Sequence, residues 1–373
     1  MKVSVVILCE SDDACLWLSL SSAVRALKNI RASVVVADNT LQGIDTSRLG
    51  RRFPEVLVVR SSGYEFPEIF HRNVEACPSE YVLWMHAGVV IPDNFIEVAV
   101  EAMGEHPDFG SCSGLLLTPG TKHEFMPMLS RMLHPKTTEQ ETSPVVCKAC
   151  WLFRKEMIQK VGTLAGDLPE MGRDADFMHR INASGYQNIL LPLRVLQYNM
   201  HPHALHTCSE IRAYHAGMKR YFERMEQWQG TRQRFSLFVH LKLSMWSEML
   251  KLQWGKRRKK KSAGQNEPNM LIFTKEAHVH TLRNLFRLNR MDDTHHFVLS
   301  SEKSVSSLAL WKTDHQRPFT HIVFDNSQFS YAKILSLLEE CQYIQYNIGI
   351  YDSDSRTLVL SGRIYHYNQP SSK

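Results

Sequence analysis

The sequence predicts an α/β protein with a larger amino-terminal unit and a smaller carboxyl-terminal unit. Short apolar runs alternate with helical patterns between residues 3 and 85, which is typical of a sheet with parallel strands. A second alternation begins at Met270, after the polar and basic stretch 256–269. With 373 residues, the chain is long enough for two domains.

Apolar spacing predicts the elements of the first unit. Helical spacing predicts one helix over residues 16–29 and another over 66–77. Buried strands are predicted at 3–8, 33–39, 56–59 and 81–85. In such sheets ligands bind beyond the carboxyl ends of the strands. Glu10, Asp38, Asn39 and His86, which follow or end these strands, are therefore candidate site residues.

The later pattern is less regular. Residues 118–144 are rich in Pro, Thr and Met and are predicted to form a mobile loop, whereas order returns at 145–195 and residues 209–254 read as amphipathic helix. In the second unit, strands are predicted at 270–273, 296–300, 321–325, 343–350 and 357–361, with helices at 276–290 and 330–341.

The charge is concentrated in one element. The formal net charge is +6, but residues 242–261 hold eight bases and one acid, so the remainder of the chain is close to neutral. This distribution argues against a general nucleic-acid-binding surface. No run of 18 apolar residues occurs, and the apolar stretch at residues 3–8 is too short for a signal peptide. We therefore expect a cytoplasmic protein.

The eight cysteines show no framework spacing and are expected to be reduced. Cys147 and Cys150 form the one close pair, and Cys150 opens an apolar run that continues to Phe153. The run favours a buried strand, while redox or metal chemistry at the pair is the alternative.

Five segments, in order, resemble family-2 glycosyltransferases. Residues 3–7 are similar to the opening strand of that family, and 35–40 to its second strand, which ends in Asp-Asn-Gly-Ser. Residues 80–85 resemble the strand that delivers the metal-binding Asp-x-Asp motif. Residues 149–156 resemble the acceptor-side strand and helix, and 173–181 the segment that carries the catalytic base.

The resemblance implies a GT-A fold, a Rossmann-like mixed-sheet domain that binds a nucleotide sugar. It implies an inverting transfer with Asp174 as general base, because such a transfer needs one group to deprotonate the acceptor hydroxyl. It implies donor binding by Asp38, whose carboxylate can accept hydrogen bonds from a base or ribose. Trp151 and Asp176 correspond to acceptor-side positions. Ordinary helix-start carboxylates are the alternative interpretation of Asp174 and Asp176.

The sequence departs from the family at the metal site. Where the family has Asp-x-Asp, this chain has His86-Ala87-Gly88, so a carboxylate pair that would hold Mn²⁺ or Mg²⁺ against the diphosphate is missing. The family's Glu before the base is replaced by Arg173. Three hypotheses follow. His86 binds a metal together with His201, or cations such as Arg72 or Arg173 neutralise the diphosphate, or catalysis has been lost.

Two further segments carry functional hypotheses. The run from His201 to Cys208 has the ligand density of a zinc site, although a polar loop is the alternative. Residues 235–261 combine an apolar stripe with flanking lysines, which suits an anionic membrane surface. The alternative is that the stripe packs on the first domain and the lysines form a solvated linker.

The carboxyl-terminal unit more weakly resembles the Rossmann-like accessory domain of bacterial polysaccharide sugar transferases. Its first strand is followed by Thr274, Lys275 and Glu276, without the glycines that close approach to a phosphate requires. A docking or regulatory role is therefore expected there.

Together these patterns predict a GT-A domain at 1–208, an amphipathic helical extension at 209–255, a basic linker at 256–269 and a small α/β domain at 270–373. The predicted function is that of a hexosyltransferase in surface-polysaccharide synthesis. It would use a UDP- or GDP-linked sugar and a glycan or lipid-linked acceptor, at the inner membrane face. The alternative is a catalytically inactive relative that acts as a scaffold or partner of other polysaccharide enzymes.

Overall fold

The computed structural model describes most of both predicted units. The described residues are 2–10, 14–117, 150–168, 170–197, 208–224, 239, 242–247, 249–250, 269–291, 294–308, 319–340, 347–360 and 363–367. The predicted loop at 118–144, Cys147, His201 and the lysine run 256–261 lie outside these residues. Among the helices described, none is long and apolar enough to cross a membrane.

The first sheet is mixed. Within the described residues its strand order is β3-β2-β1-β4-β7-β6-β8-β5. The strands are β1 (Val3–Cys9), β2 (Ala32–Asp38), β3 (Val56–Arg60), β4 (Tyr81–His86), β5 (Val89–Val90), β6 (Phe109–Leu117), β7 (Cys150–Arg154) and β8 (Gln187–Gln197). Strands β1 to β4 are parallel, whereas β7 is antiparallel to both β4 and β6. The mixed α/β class predicted from the sequence is confirmed.

Helices cover both faces of this sheet. The helices described in the first unit are α1 (Ala14–Ala26), α2 (Thr46–Arg52), α3 (Phe66–Ala76), α4 (Phe95–Glu105), α5 (Glu156–Val161), α6 (Glu170–Ala183) and α7 (Cys208–Arg224), the last of which contacts α6. One face packs against α1, α2 and α4, and we call it the α1 face. The other packs against α3, α5 and α6, and we call it the α3 face. Because side chains alternate along a strand, each strand residue belongs to one face or the other.

The α3 face is held by aromatic packing. The rings of Phe70 and Trp151 are stacked 5.4 Å apart, and Phe177 meets Trp151 edge-on at 5.3 Å. Trp151 lies on β7, which confirms the predicted buried strand. Such contacts add to the burial of large rings, so the strand and helix α6 are fixed relative to each other.

The second sheet has the order β10-β9-β11-β12-β13-β14 within the described residues. Its strands are β9 (Asn269–Thr274), β10 (Thr294–Leu299), β11 (His321–Asp325), β12 (Asn347–Asp352), β13 (Thr357–Leu360) and β14 (Arg363–His366), with helices α8 (Glu276–Leu288) and α9 (Tyr331–Glu340). Strands β9 to β12 are parallel, and β13 and β14 return antiparallel. The sequence predicts the first five of these strands but not β14.

The two sheets share an apolar core. Leu18 of α1 and Leu196 of β8 belong to the same buried cluster as Ile334 and Leu338 of α9. Polar contacts surround this cluster: Arg25 donates to the carbonyl of Asn326 at 2.9 Å, and its guanidinium lies 5.2 Å from the ring centroid of Tyr331. The carboxyl-terminal sheet is therefore packed directly against α1 of the first unit. The exact domain boundaries stay a prediction.

Candidate functional site

The carboxyl ends of β1 to β4 bring several candidate residues to one edge of the first sheet. Cys9 pairs in register with Asp38, Asp38 with Arg60, and Leu8 with His86. Neighbouring strands lie about 4.8 Å apart, so Asp38 and His86, two strands apart, lie about 10 Å from each other across the edge. This is the edge at which parallel sheets bind ligands.

Asp38 is the most extensively hydrogen-bonded side chain at this edge, and it is 3% exposed. Its Oδ1 accepts from the backbone N–H and the hydroxyl of Thr40, at 3.0 and 2.7 Å. Its Oδ2 accepts from the N–H of Ile44 at 3.1 Å and from Nη1 of Arg60 at 2.6 Å. A carboxylate offers about four acceptor positions, and here the protein fills four.

The network of Asp38 keeps the carboxylate ionised. Burial alone would raise its pKa, but the hydrogen bonds from Thr40, Arg60 and Ile44 outweigh that effect, so the pKa of Asp38 lies below its ordinary value. A donor that used Asp38 would have to replace one of these partners. Arg60 is the partner best suited to leave, because 43% of its side chain is exposed.

Asn39 and Glu10 flank Asp38 on the same edge. The backbone N–H of Asn39 donates to the carbonyl of Cys9 at 2.8 Å, which extends the β1–β2 pairing by one bond. Glu10 is exposed directly after β1. The topology therefore brings both residues beside Asp38, and their roles in donor binding stay predictions.

His86 ends β4 on the α3 face. It is 6% exposed, and its ring lies 5.7 Å from the ring of Phe66. The chain then turns at once, with Gly88 at φ 96° and its N–H donating to the hydroxyl of Ser19 at 2.8 Å. The resembled family has metal-binding carboxylates at this position. Here the chain has a buried imidazole followed by a tight turn.

The residues present at this edge do not fit a divalent metal. Over the described part of the chain, no group of three or more His, Cys, Asp or Glu side chains is close enough to hold an ion. A hard cation such as Mg²⁺ prefers several oxygen ligands, and the carboxylate of Asp38 is already engaged. His201, the second predicted metal ligand, lies outside the described residues.

The topology brings Asp174 to the same edge but to the other face. Helix α6 is followed within a few residues by β8, whose first residue pairs in parallel with Phe109 at the start of β6. Since β6 is antiparallel to β7, and β7 to β4, the carboxyl end of α6 lies at the opposite edge of the sheet. The amino-terminal half of α6, with Asp174, therefore lies toward the carboxyl ends of β1 to β4.

Asp174 and Asp38 nevertheless belong to different faces. Asp174 is 5% exposed on a helix whose Phe177 and Ile181 pack on the α3 face. Because side chains alternate along β2, Asp38 lies on the same face as Val34 and Val36, which is the α1 face. His86 shares the α3 face with Asp174. The fold therefore does not enclose both carboxylates in one pocket. A ligand that contacts both would have to extend across the sheet edge from one face to the other.

Three neighbouring candidates have structural partners. Nε of Arg173 donates to the carbonyl of Leu168 at 2.6 Å, and Nη2 to that of Gly166 at 3.2 Å, which ties down the loop before α6. Asp176 accepts from Nε and Nη2 of Arg180 at 2.9 and 2.8 Å. Trp151 is 1% exposed within the core, so here its ring packs rather than faces an acceptor.

Arg72 lies beside an open cavity that was not foreseen from the sequence. Its guanidinium lies 3.9 Å from the ring centroid of Tyr64 and its Nη2 lies 2.7 Å from Oε1 of Glu68. The cavity, of about 420 Å³, runs between edge strand β3 and α3. It is lined by Val35, Leu57, Val59, Tyr64, Arg60 and Arg72 among others. Arg60 thus borders both the cavity and Asp38.

Sequence reasoning missed Arg60 and Tyr64. The position of Arg60 in the sequence could have identified it, because Arg60 directly follows the apolar run 56–59 just as Asp38 follows its own apolar run. The same rule about strand ends that selects Asp38 would also have selected Arg60.

Comparison with known proteins gives only distant likenesses. No protein-family model and no curated protein matches the chain. Among solved structures, the mannosyltransferase PcManGT from Pyrobaculum calidifontis, in complex with GDP-Man and Mn²⁺, is 15% identical over 71% of this chain and 76% of its own, with a TM-score of 0.47. TarS of S. aureus is 14% identical over 58% of this chain and 39% of its own, with a TM-score of 0.40. Both scores are below 0.5, so neither likeness decides the chemistry of this chain.

Proposed function

We propose that this protein is a GT-A glycosyltransferase that binds a UDP- or GDP-linked sugar across the carboxyl edge of β1 to β4. It transfers the sugar, with inversion, to a glycan or lipid-linked acceptor in surface-polysaccharide synthesis. One observation carries the proposal: the strand register and the direction of α6 bring Asp38, His86 and Asp174 to the same sheet edge.

An extended donor suits an edge whose polar groups are divided between two faces. The base and ribose would lie near Asp38 and Asn39 at the end of β2, where carboxylate and amide groups can exchange hydrogen bonds with them. The diphosphate would cross the end of β1. The sugar would then reach His86, about 10 Å from Asp38, and Asp174, which shares the α3 face with His86.

The transfer is a single displacement. The acceptor hydroxyl oxygen attacks the anomeric carbon and forms the new glycosidic bond, while the bond from that carbon to the diphosphate breaks. The hydroxyl proton passes to the carboxylate of Asp174, and the nucleoside diphosphate leaves with the bonding electron pair. One displacement inverts the anomeric carbon, and one base is enough for it.

The leaving diphosphate needs positive charge. Since the described residues do not fit a metal, the chain's own cations are the source that this proposal uses. Arg173 is supported best, because its hydrogen bonds to Leu168 and Gly166 go to carbonyl oxygens, which orient the guanidinium without neutralising its charge. Arg72, by contrast, is paired with Glu68.

The experiment separates binding from chemistry. The whole protein is titrated calorimetrically with UDP and with GDP, each with and without Mn²⁺, and nucleotide release from UDP- and GDP-sugars is followed in parallel. We expect saturable binding of one nucleotide. Asp174→Asn should retain that affinity within about twofold and lower nucleotide release at least about a hundredfold, since it removes the base.

A matched control uses Asp167→Asn. Asp167 lies in the loop before α6, its carboxylate pairs with Arg224, and it is half-exposed, so both readouts should stay as in the unmodified protein. The proposal is rejected if neither nucleotide binds at millimolar concentration, or if Asp174→Asn releases nucleotide at the unmodified rate.

A second function, a catalytically inactive relative that organises other enzymes, is favoured by one observation. All four acceptor positions of Asp38 are filled from within the chain, which is the arrangement of a structural carboxylate. Under this function, cells that produce Asp174→Asn keep their glycan. Loss of the glycan with a folded, normally abundant variant would contradict it.

A further inference from the structure

The open cavity between β3 and α3 is an apolar groove beside the edge of the first sheet. Leu57 and Val59 of β3 line it and are 60 and 37% exposed, so large apolar side chains face solvent there. Ile69 and Ala76 line it from α3. The lining follows the whole of β3, a strand of five residues, so the groove is about 17 Å long. Its volume of about 420 Å³ is that of a small-molecule site.

Polar side chains along the groove are already hydrogen-bonded within the chain. Nδ2 of Asn73 donates to the carbonyl of Ile69 at 2.8 Å, and the hydroxyl of Ser33 shares a 2.8 Å hydrogen bond with that of Ser4. A peptide or a sugar has polar groups in every unit and would exchange its hydrogen bonds to water for few in return. A hydrocarbon chain has no such groups to satisfy. The walls of the groove therefore favour a hydrocarbon chain.

Charged side chains mark the two ends of the groove. At the carboxyl end of β3, the guanidinium of Arg72 lies 3.9 Å from the ring centroid of Tyr64, and its Nη2 lies 2.7 Å from Oε1 of Glu68. A guanidinium carries several N–H donors in a planar fork, and 55% of the Arg72 side chain is exposed, so Arg72 can bind a second anion beside Glu68. Glu55 lines the other end and would repel an anion there.

We propose that this groove binds an anionic amphiphile, with its hydrocarbon chain along Leu57, Val59 and Ala76 and its head group at Arg72. A phosphate head and a carboxylate head share this chemistry. A second copy of the chain fits less well, because a strand paired with β3 would cover the sheet edge without filling a groove that lies between β3 and α3. This inference goes beyond the proposed function and depends neither on nucleotide binding nor on Asp174.

The test titrates the whole protein calorimetrically with dodecyl phosphate, dodecanoate, dodecyl maltoside and inorganic phosphate, each below any critical micelle concentration. We expect saturable binding of at least one of the two anionic amphiphiles, and the tighter of them identifies the head group. The neutral maltoside should bind at least about tenfold more weakly, because it lacks the charge-assisted hydrogen bonds to Arg72. Inorganic phosphate should not bind measurably, because it has no hydrocarbon chain to bury.

Two variants test the wall and the end of the groove separately. Leu57→Asp should weaken binding of the anionic amphiphile about tenfold or more, because it replaces an apolar contact with a negative charge. Arg72→Gln should weaken the same binding about fivefold or more and leave binding of the maltoside within about twofold, because it removes the charge that selects the head group.

Each variant has a matched control. Leu299→Asp on β10 changes a leucine that is 59% exposed, close to the 60% of Leu57. Lys219→Gln removes a cation that is 53% exposed and paired with Glu223 four residues later, much as Arg72 is paired with Glu68. Both controls should bind the amphiphile as the unmodified protein does.

Four results would overturn the proposal. They are no saturable binding of either anionic amphiphile, equal affinity for the anionic amphiphiles and the maltoside, undiminished binding by Leu57→Asp, and equal losses in a variant and its control. Sedimentation showing a dimer that Leu57→Asp dissociates would also overturn it, because the groove would then be a contact between copies. Circular dichroism checks that each variant is folded, and nucleotide titration reports separately on the proposed function.

Discussion

Both sheets end parallel strands in buried aspartates, and Asp38 of the first sheet differs from Asp325 of the second in what satisfies its carboxylate. Asp38 ends β2 and Asp325 ends β11. Asp325 is 0% exposed, and its Oδ2 accepts from the hydroxyl of Thr274 and from Nδ1 of His278, both at 2.6 Å. Its Oδ1 accepts from the N–H of Ser327 at 2.9 Å. Asp38 has the exposed Arg60 among its side-chain partners, whereas the ring of His278 beside Asp325 is only 19% exposed.

The difference indicates which edge can exchange an internal partner for a ligand. In the first sheet, Arg60 can turn into solvent and leave one position of the Asp38 carboxylate free, because nearly half of its side chain is already hydrated. In the second sheet, His278 is only 19% exposed and Asp325 not at all. Loss of the His278 contact would therefore leave a fully buried carboxylate with one hydrogen-bond partner fewer. We therefore assign a structural role to Asp325 and keep Asp38 as a donor-site residue in the proposed function.

The largest expected effect is that of Asp325→Ala. It leaves the buried Thr274 hydroxyl without its acceptor and also removes the acceptor of the His278 ring and of the Ser327 N–H, and we expect the free energy of unfolding to fall by about 3 kcal/mol. Asp38→Ala should cost about 2 kcal/mol, since the Arg60 guanidinium can be hydrated instead. Urea unfolding of both variants checks the order. An equal or larger loss for Asp38→Ala would show that the first network is the tighter one.

Arg60→Met tests the Asp38 network through its pH dependence. At pH 7 we expect a loss of about 1 kcal/mol in the free energy of unfolding, modest because Arg60 is partly exposed. The folded-state pKa of Asp38 lies below the ordinary 3.8, so the ionised network stabilises fully above that pH and loses its contribution as pH falls further. The difference between variant and unmodified protein should therefore be largest at pH 7 and shrink below about pH 3.8.

The control for this series is Arg31→Met, which removes an exposed arginine from the loop before β2. It should leave the free energy of unfolding nearly unchanged at either pH. If the loss caused by Arg60→Met were the same at pH 3 and pH 7, the ion pair with Asp38 would not be its source.

The sequence was sufficient to predict which residues lie at the carboxyl edge of β1 to β4, but not the hydrogen bonds that these residues make there. The ends of the apolar runs identify Asp38 and His86, because a parallel strand delivers its last residue to the ligand-binding edge. The filled state of the Asp38 carboxylate depends on a loop that returns Thr40 and Ile44 to it, and on Arg60 of another strand. Arg60 lies 22 residues from Asp38, and the turn that brings Thr40 and Ile44 back is polar, so the hydrophobic pattern of the sequence predicts neither contact.

Strand β6 shows why one element was missed. Its sequence is rich in Gly and Ser, which are poor strand formers. A Cβ at Gly110 would lie 2.6 Å from a side-chain atom of Ile181, and one at Gly114 would lie 2.5 Å from Val195. These glycines are explained by close packing against α6 and β8, which is a tertiary requirement. Trp151 is the opposite case, because local sequence was enough to predict its strand. Its apolar run predicted the buried strand correctly, whereas the resemblance implied that the ring contacts an acceptor.

The smallest expected effect concerns the contact that links the two units near their aspartates. Arg52 of α2 lies 2.6 Å from Asp354, which follows β12, and 3.6 Å from Asp352. The hydrogen bond from Arg52 lowers the pKa of Asp354. Because 59% of the Asp354 side chain is exposed, a double-mutant cycle of Arg52→Ala and Asp354→Ala should give a coupling energy of only about 0.5 kcal/mol at pH 7. It should fade as pH falls below 3.8 and the carboxylate is protonated.

The control is Arg51→Ala. Nε of Arg51 donates to the carbonyl of Ser47 in its own helix, so this variant should show no coupling to Asp354→Ala. A coupling well above 1 kcal/mol would contradict the expectation that this exposed pair adds little to the contact between the two units.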